Sequence, residues 1–197
     1  MRASVRPALR CDEDCALTAT AAAPAGYTQG AIVLHWLTAA FVIPLIVVGV
    51  VMSSFDLGAT GNLLYDLHRS AGSVLIVLVL VRIVYRLRHQ PPPLPADVPA
   101  VQRRVAELVH LALYVLLLLQ PLVGWAATSA YRAPIIVFWL IELPPIWPVD
   151  RAMSEWLFGL HRLLGIAMAA LVFAHAGAAL SHHFIRRDRV LLRMLGR

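Results

Sequence analysis

The chain has 197 residues, 60% of them hydrophobic and 14% charged, with a mean hydropathy of +0.74. A soluble domain carries about 25% charged and about 45–50% apolar residues, so this composition excludes a water-clothed globule and makes the bilayer the expected solvent. All 17 basic residues are Arg and the formal net charge is +6. They stand at the ends of apolar segments without aromatic interleaving, so the charge speaks to membrane topology and not to nucleic-acid binding.

Residues 1–26 are expected to form a disordered tail. Cys11 and Cys15 lie there with three residues between them and no second pair to complete a zinc quartet. Residues 16–26 lack the apolar core of a cleaved signal peptide. From Tyr27 onward the chain reads as one all-α membrane domain, 27–197, a bundle of four spanning helices at about 30–54, 67–88, 105–129 and 157–184.

The first span has no charged residue from Gly30 to Phe55 and contains Pro44, which membrane helices tolerate. The uncharged core of the second, Ser70–Val81, is too short to cross, so that helix must take in Arg82 and Arg86. Arg86 can snorkel to the interface, whereas Arg82 lies deeper and needs a partner. Pro91–Pro93, Pro95 and Pro99 then end the helix and stiffen the linker. The third and fourth spans, Leu108–Ala130 and Leu163–Ile185, are free of formal charge. Between them Glu142–Pro148 is apolar, aromatic and rich in Pro, which suits a loop in the headgroup region. The N-terminal tail, residues 82–104 and the C-terminal tail hold 13 of the 17 arginines, which places both termini in the cytoplasm.

Eight histidines punctuate these segments: His35, His68, His89, His110, His161, His175, His182 and His183. His89 reads as solvated, while the others fall within or at the ends of spans, where a polar ring is costly unless paired or coordinated. His161 and His175 are separated by about 21 Å of helix and point within about 40° of each other, so one helix face carries rings at two levels. His68 opens the second helix on the same side as His161, and His35 enters the first from the opposite side. Two neutral imidazoles facing each other at each level form the donor set of a six-coordinate haem. At the outer level the pair is His68 with His161. At the inner level spacing leaves both His175 and His182 open as partners of His35, with His110 entering nearby. His182 and His183 stand at the helix exit, where a quinone site or an interfacial role suits them as well as ligation does.

Small and cationic residues follow the same spacing. Gly72 and Gly165 sit one turn beyond His68 and His161 in matching His-Arg-x-x-Gly patterns, where a flat macrocycle could approach the helix. Gly49 lies 14 residues after His35 and Gly124 lies 14 after His110, so both should reach the outer level. Arg82 lies 14 residues after His68, at the inner level, and a haem propionate is its natural counter-ion. Arg69 and Arg162 either pair outer propionates or anchor at the interface.

Leu34-His35-Trp36, His68 with Gly72, Val79–Leu87, Val109-His110-Leu111, His161, and His175 followed by Ala178–Phe184 occur here in a set order, closed by Arg187–Arg189 and Leu192–Leu195. In that order and spacing the chain from Tyr27 to Leu195 resembles the bacterial cytochrome b561 family. These are dihaem membrane proteins related to the cytochrome b subunits of nickel hydrogenases and formate dehydrogenase. The resemblance implies two haem b groups, one on His35 and His175 and the other on His68 and His161, in a multi-pass protein of the bacterial inner membrane. It also implies ubiquinone as substrate and, for one known activity, superoxide as the electron donor. An outer donor would reduce the outer haem, and a quinone would accept electrons near the inner face. Outer arginines Arg69, Arg132, Arg151 and Arg162 would draw superoxide in, opposed by Asp56, Asp66, Glu142, Asp150 and Glu155. Two other readings remain: a haem-b anchor or electron relay of a dehydrogenase- or hydrogenase-like complex, and a haem-free, histidine-lined metal carrier.

Overall fold

Long runs of Leu, Val, Ile and Ala with no interior breaker but Pro44 and Pro121 make helix the only backbone conformation that satisfies its own polar groups in hydrocarbon. The computed structural model describes residues 26–92 and 98–196; the expected tail with its two cysteines and the prolines at 93 and 95 lie outside them. The long helices are α1 (Gln29–Ser54), α2 (Gly58–Arg88), α3 (Ala100–Tyr131) and α4 (Arg151–Ser181). All four are long and apolar enough to cross a bilayer, the last counted through Arg186. They pack in chain order, α1 on α2, α2 on α3 and α3 on α4, to give the four-helix bundle. Large apolar side chains such as Phe173 (84% exposed) and Ile185 (78%) point outward, as a lipid solvent allows.

Caps define the helix starts. Thr28 accepts a hydrogen bond from the Ala31 N–H at 3.3 Å, and Asp150 accepts from Met153 N–H at 3.0 Å. Helix α2 begins nine residues before the expected 67, because hydropathy marks only the part inside the bilayer while the helix continues beyond it. The extension holds through Tyr65, whose hydroxyl donates to the Met52 carbonyl at the end of α1. Helices α3 and α4 likewise begin earlier than expected, at Ala100 and Arg151.

The connection after α3 contains a hairpin that the sequence reading does not mark, overlapping the expected headgroup loop only at Glu142 and Leu143. Strands β1 (Ile135–Val137) and β2 (Ile141–Leu143) pair antiparallel with Ile136 opposite Glu142. Phe138 and Trp139 turn the chain with φ of 45° and 61°, a region that bulky residues adopt only when their surroundings hold them there. Ser70 does so: its buried hydroxyl accepts from Phe138 N–H at 2.9 Å and donates to the Ile136 carbonyl at 3.3 Å. Arg69 adds a bond to the Pro134 carbonyl at 3.1 Å and an ion pair with Asp66 at 2.7 Å.

At the other end α4 runs into a π-helical turn, His182–Arg186, and the chain reverses at Arg187 (φ 56°) into α5 (Val190–Met194). Asp188 organises the reversal. Its carboxylate accepts from His182 Nδ1–H at 2.5 Å and from Val190 N–H at 3.0 Å. Trp36, on α1, closes the segment by donating its indole N–H to the Met194 carbonyl at 2.9 Å. Burial alone would raise the Asp188 pKa, but the hydrogen bonds from His182 and Val190 and the charges of His182 and Arg186 outweigh it and hold the carboxyl below its ordinary value.

Two outcomes follow from these contacts. Ser70→Ala leaves the Phe138 N–H without its acceptor and should cost about 1–3 kcal/mol, read as a lower midpoint of thermal unfolding in detergent. Because the Asp188 pKa is depressed, its contribution is complete above the unfolded value of about 3.9 and is lost as pH falls through the lower folded value. Asp188→Asn should therefore speed hydrogen exchange at residues 190–195 at neutral pH, whereas the wild type keeps its protection until pH drops below about 4.

Candidate functional site

The interior of the bundle is stacked in layers. His161, Met168 and His175 recur every seven residues on α4 and so share one face. Met168 joins Val42, Leu75, Val79, Leu116 and Leu117 in a buried apolar layer, with an imidazole pair on either side of it.

On the outer side the rings of His68 and His161 have centroids 6.1 Å apart and planes at 78°. On the inner side His35 and His175 also stand 6.1 Å apart, at 64°. Two imidazoles bound through nitrogen to one metal at about 2.0–2.1 Å bring their ring centres about 6 Å apart. Both pairs fit a bis-imidazole iron by donor chemistry and by separation. Of the two inner alternatives, His175 lies beside His35, whereas His182 is hydrogen-bonded to Asp188. His110 packs edge-on against His175 at 5.1 Å. Among the described residues no group of three or more His, Cys, Asp and Glu is gathered as a metal cage.

The outer rings are seated on glycines of the facing helices. A Cβ on Gly124 would lie 2.9 Å from His161 Cε1 and 3.1 Å from its Nδ1, so α3 approaches this ring only because residue 124 has no side chain. Gly49 plays the milder part toward His68, with a Cβ distance of 3.4 Å to Cε1. The glycines one turn beyond the histidines differ from each other. A Cβ on Gly72 would meet no protein atom within 4 Å, whereas at Gly165 it would press on the Gln120 amide at 3.1 Å. Gly165 thus seats a glutamine that the sequence reading passes over. A lone amide in an apolar span, four residues before Gly124, was the available signal. An apolar cavity of about 240 Å³ lies beside His68, walled by Phe41, Pro44, Leu45, Val48 and Leu67.

On the inner side, Arg82 donates from Nη2 to His35 Nδ1 at 3.0 Å and from Nε to the Tyr114 hydroxyl at 3.1 Å. Arg86 lies over the same Tyr114 ring at 5.4 Å. Arg82, Arg86, Tyr27, Tyr85, His89 and Tyr114 line a small recess at the end of the bundle where α1 begins and α2 ends. Burial raises the Tyr27 phenol above its ordinary pKa against the opposing charges of Arg86 and Arg193, so it stays protonated. His183 lies edge-on to Phe184 at 4.8 Å and joins neither imidazole pair.

A membrane-spanning bundle with paired imidazoles at two depths belongs to the class of membrane cytochromes. The family model for prokaryotic cytochrome b561 matches residues 26–197. The chain is 31% identical over 172 residues to cytochrome b561 homolog 1 of Escherichia coli K12, covering 87% of this chain and 97% of that protein. It is 34% identical over 167 residues to homolog 2 of the same organism, covering 83% and 87%. To a probable superoxide oxidase CybB of Yersinia pestis it is 29% identical over 167 residues, covering 82% and 91%. The chain belongs to the prokaryotic cytochrome b561 family, and is therefore a multi-pass membrane protein of b-type haem electron transfer.

Gly124→Ala should push His161 from its seat at an overpacking cost of about 1–3 kcal/mol and lower the haem bound per chain, measured by pyridine haemochrome. Gly159→Ala, where a Cβ meets nothing within 4 Å, should leave haem content unchanged.

Proposed function

We propose that this chain carries electrons across a bacterial inner membrane through two b haems, one on His68 and His161 and one on His35 and His175, taking them from an outer one-electron donor and delivering them to ubiquinone. The observation that carries the reading is the recurrence of one 6.1 Å imidazole separation at two depths on the same face of α4. Haem supplies reversible one-electron chemistry when bound; the chain's part is to hold, orient and shield it.

The Nδ1–H of His161 donates to the Gln120 carbonyl at 3.0 Å, which leaves Nε2 as the nitrogen available to iron. At the inner level, ligation through His35 Nε2 leaves a proton on Nδ1. A guanidinium is donor-only and cannot accept it. Arg82 would then give up its bond to His35 Nδ1 and could serve a haem carboxylate, with Tyr114 steering it. Gly49 and Gly124 keep the helices slim against the rings, Gly72 leaves open space one turn beyond His68 where a macrocycle could lie, and Gly165 seats the Gln120 amide. The arginine distribution orients both termini to the cytoplasm.

Superoxide is the proposed donor, supported by likeness to the probable superoxide oxidase. The pull falls on fewer arginines than the sequence suggests. Arg69 is neutralised by Asp66 and Arg151 by Glu155 at 3.0 Å, while Arg132 and Arg162 form no ion pair among the described residues. Co-purification with a large partner subunit would point instead to an electron-relay role in a complex.

Substituting each ligand by alanine tests the assignment. Purified wild type should carry two haems per chain by pyridine haemochrome and reduce ubiquinone when superoxide is generated. His68→Ala and His161→Ala should each lose the same haem, and His35→Ala and His175→Ala the other. Retention of both haems in any one of these variants would remove that residue from the ligand set.

A further inference from the structure

Gln120 lies in the middle of α3, where a primary amide has to find its partners inside the protein. It finds them at one residue. Its Nε2 donates to the backbone carbonyl of His161 at 2.9 Å, and its own backbone carbonyl accepts from His161 Nδ1–H at 3.0 Å. The contact is reciprocal, each residue giving a proton to the other's main chain. Gly165 provides the floor for the amide, with a Cβ position only 3.1 Å from Nε2. Gly124, one turn along α3, brings the helix against the ring edge. The amide oxygen is buried without a partner, so this glutamine carries a desolvation cost for the sake of its donor.

His68, across the pair, has nothing comparable: its buried Nδ1 has no hydrogen-bond partner among the described residues. The two rings of the outer level are therefore held by unequal means, one by a two-bond clamp and the other by packing against Gly49. The geometry points to Gln120 as the positioning residue of the outer centre. The main-chain carbonyl of residue 120 fixes the rotation and tautomer of His161 and raises the donor strength of that imidazole toward iron, while the Gln120 amide acts through the backbone, tying α4 at His161 to α3 so that this bond is kept. This inference rests on the reading of His161 as a haem ligand. A stronger imidazole donor favours the oxidised metal, so weakening the clamp shifts the outer haem toward the reduced form.

The test uses full-length purified protein containing haem. Gln120→Met keeps the length of the side chain and removes its polar atoms, and Gly165→Ala presses on the same amide from the α4 side. The outer haem is identified as the one missing from His161→Ala. Both variants keep the residue-120 carbonyl and loosen its bond to His161 Nδ1–H only through the α3–α4 contact, so in each the outer haem's oxidation equilibrium should move about threefold toward reduced, about 28 mV at 59 mV per tenfold for one electron, with a changed low-spin EPR gz. The inner haem should keep its potential and its g-values. A general packing defect would instead move both haems or lower haem content at both sites, and that result would overturn the assignment. If His161→Ala loses one haem but both clamp variants leave its potential and gz unmoved, the role of Gln120 is refuted while the ligand reading stands. If His161→Ala keeps its full haem complement, the ligand reading fails and the clamp loses its object.

Discussion

A polar group in hydrocarbon has no water to turn to, and the interior of this bundle is arranged around that constraint. Imidazoles face imidazoles at two depths, Arg82 reaches His35 and Tyr114, and Gln120 exchanges bonds with His161. Between these polar levels lies a layer of Val42, Leu75, Val79, Leu116, Leu117 and Met168 that holds the helices in register without offering a proton or a charge. The result is a protein with two separated polar centres and an insulating middle. That is the division of labour a one-electron carrier needs if protons are not to leak along with the charge.

The two centres are built differently. The outer one is tight: glycines admit the rings, and the residues after His68 hold the outer hairpin through Arg69 and Ser70. A strained turn at Phe138 and Trp139 is braced by the Ser70 hydroxyl, so the ordering of this hairpin is tied to the helix that also carries His68. The inner centre is more cationic, with arginines and tyrosines around a recess lined also by Pro91 and Met194. The C-terminal turn closes over this end through Asp188 and Trp36.

Much of this architecture was legible before any coordinates. Hydropathy located the spans, because lipid exposure demands uninterrupted apolar residues whatever the packing. Helical periodicity placed His161 and His175 on one face, because fourteen steps of an α-helix bring a side chain nearly back to its starting direction. Helix ends were less legible. The outer turns of α2 are polar enough to leave the bilayer yet still helical, and no hydropathy window can mark that difference. The hairpin was hidden because Phe138 and Trp139 lack the Gly or Asn that usually announces a left-handed turn, and the support comes from Ser70, far away in the chain.

Local chemistry thus specified the solvent, the helices, the histidine ladder and, through the order of its motifs, the family. These depend on composition and on repeats along a single element. That His175 lies beside His35 follows from how α1 and α4 pack, and that His182 is held by Asp188 follows from the reversal at Arg187. The support for His161 was settled by how closely α3 approaches α4 at Gly124, and the freedom of the outer arginines by which acids stand beside them. Such choices turn on distances between different elements, which follow from packing in three dimensions and leave no periodic trace in the chain.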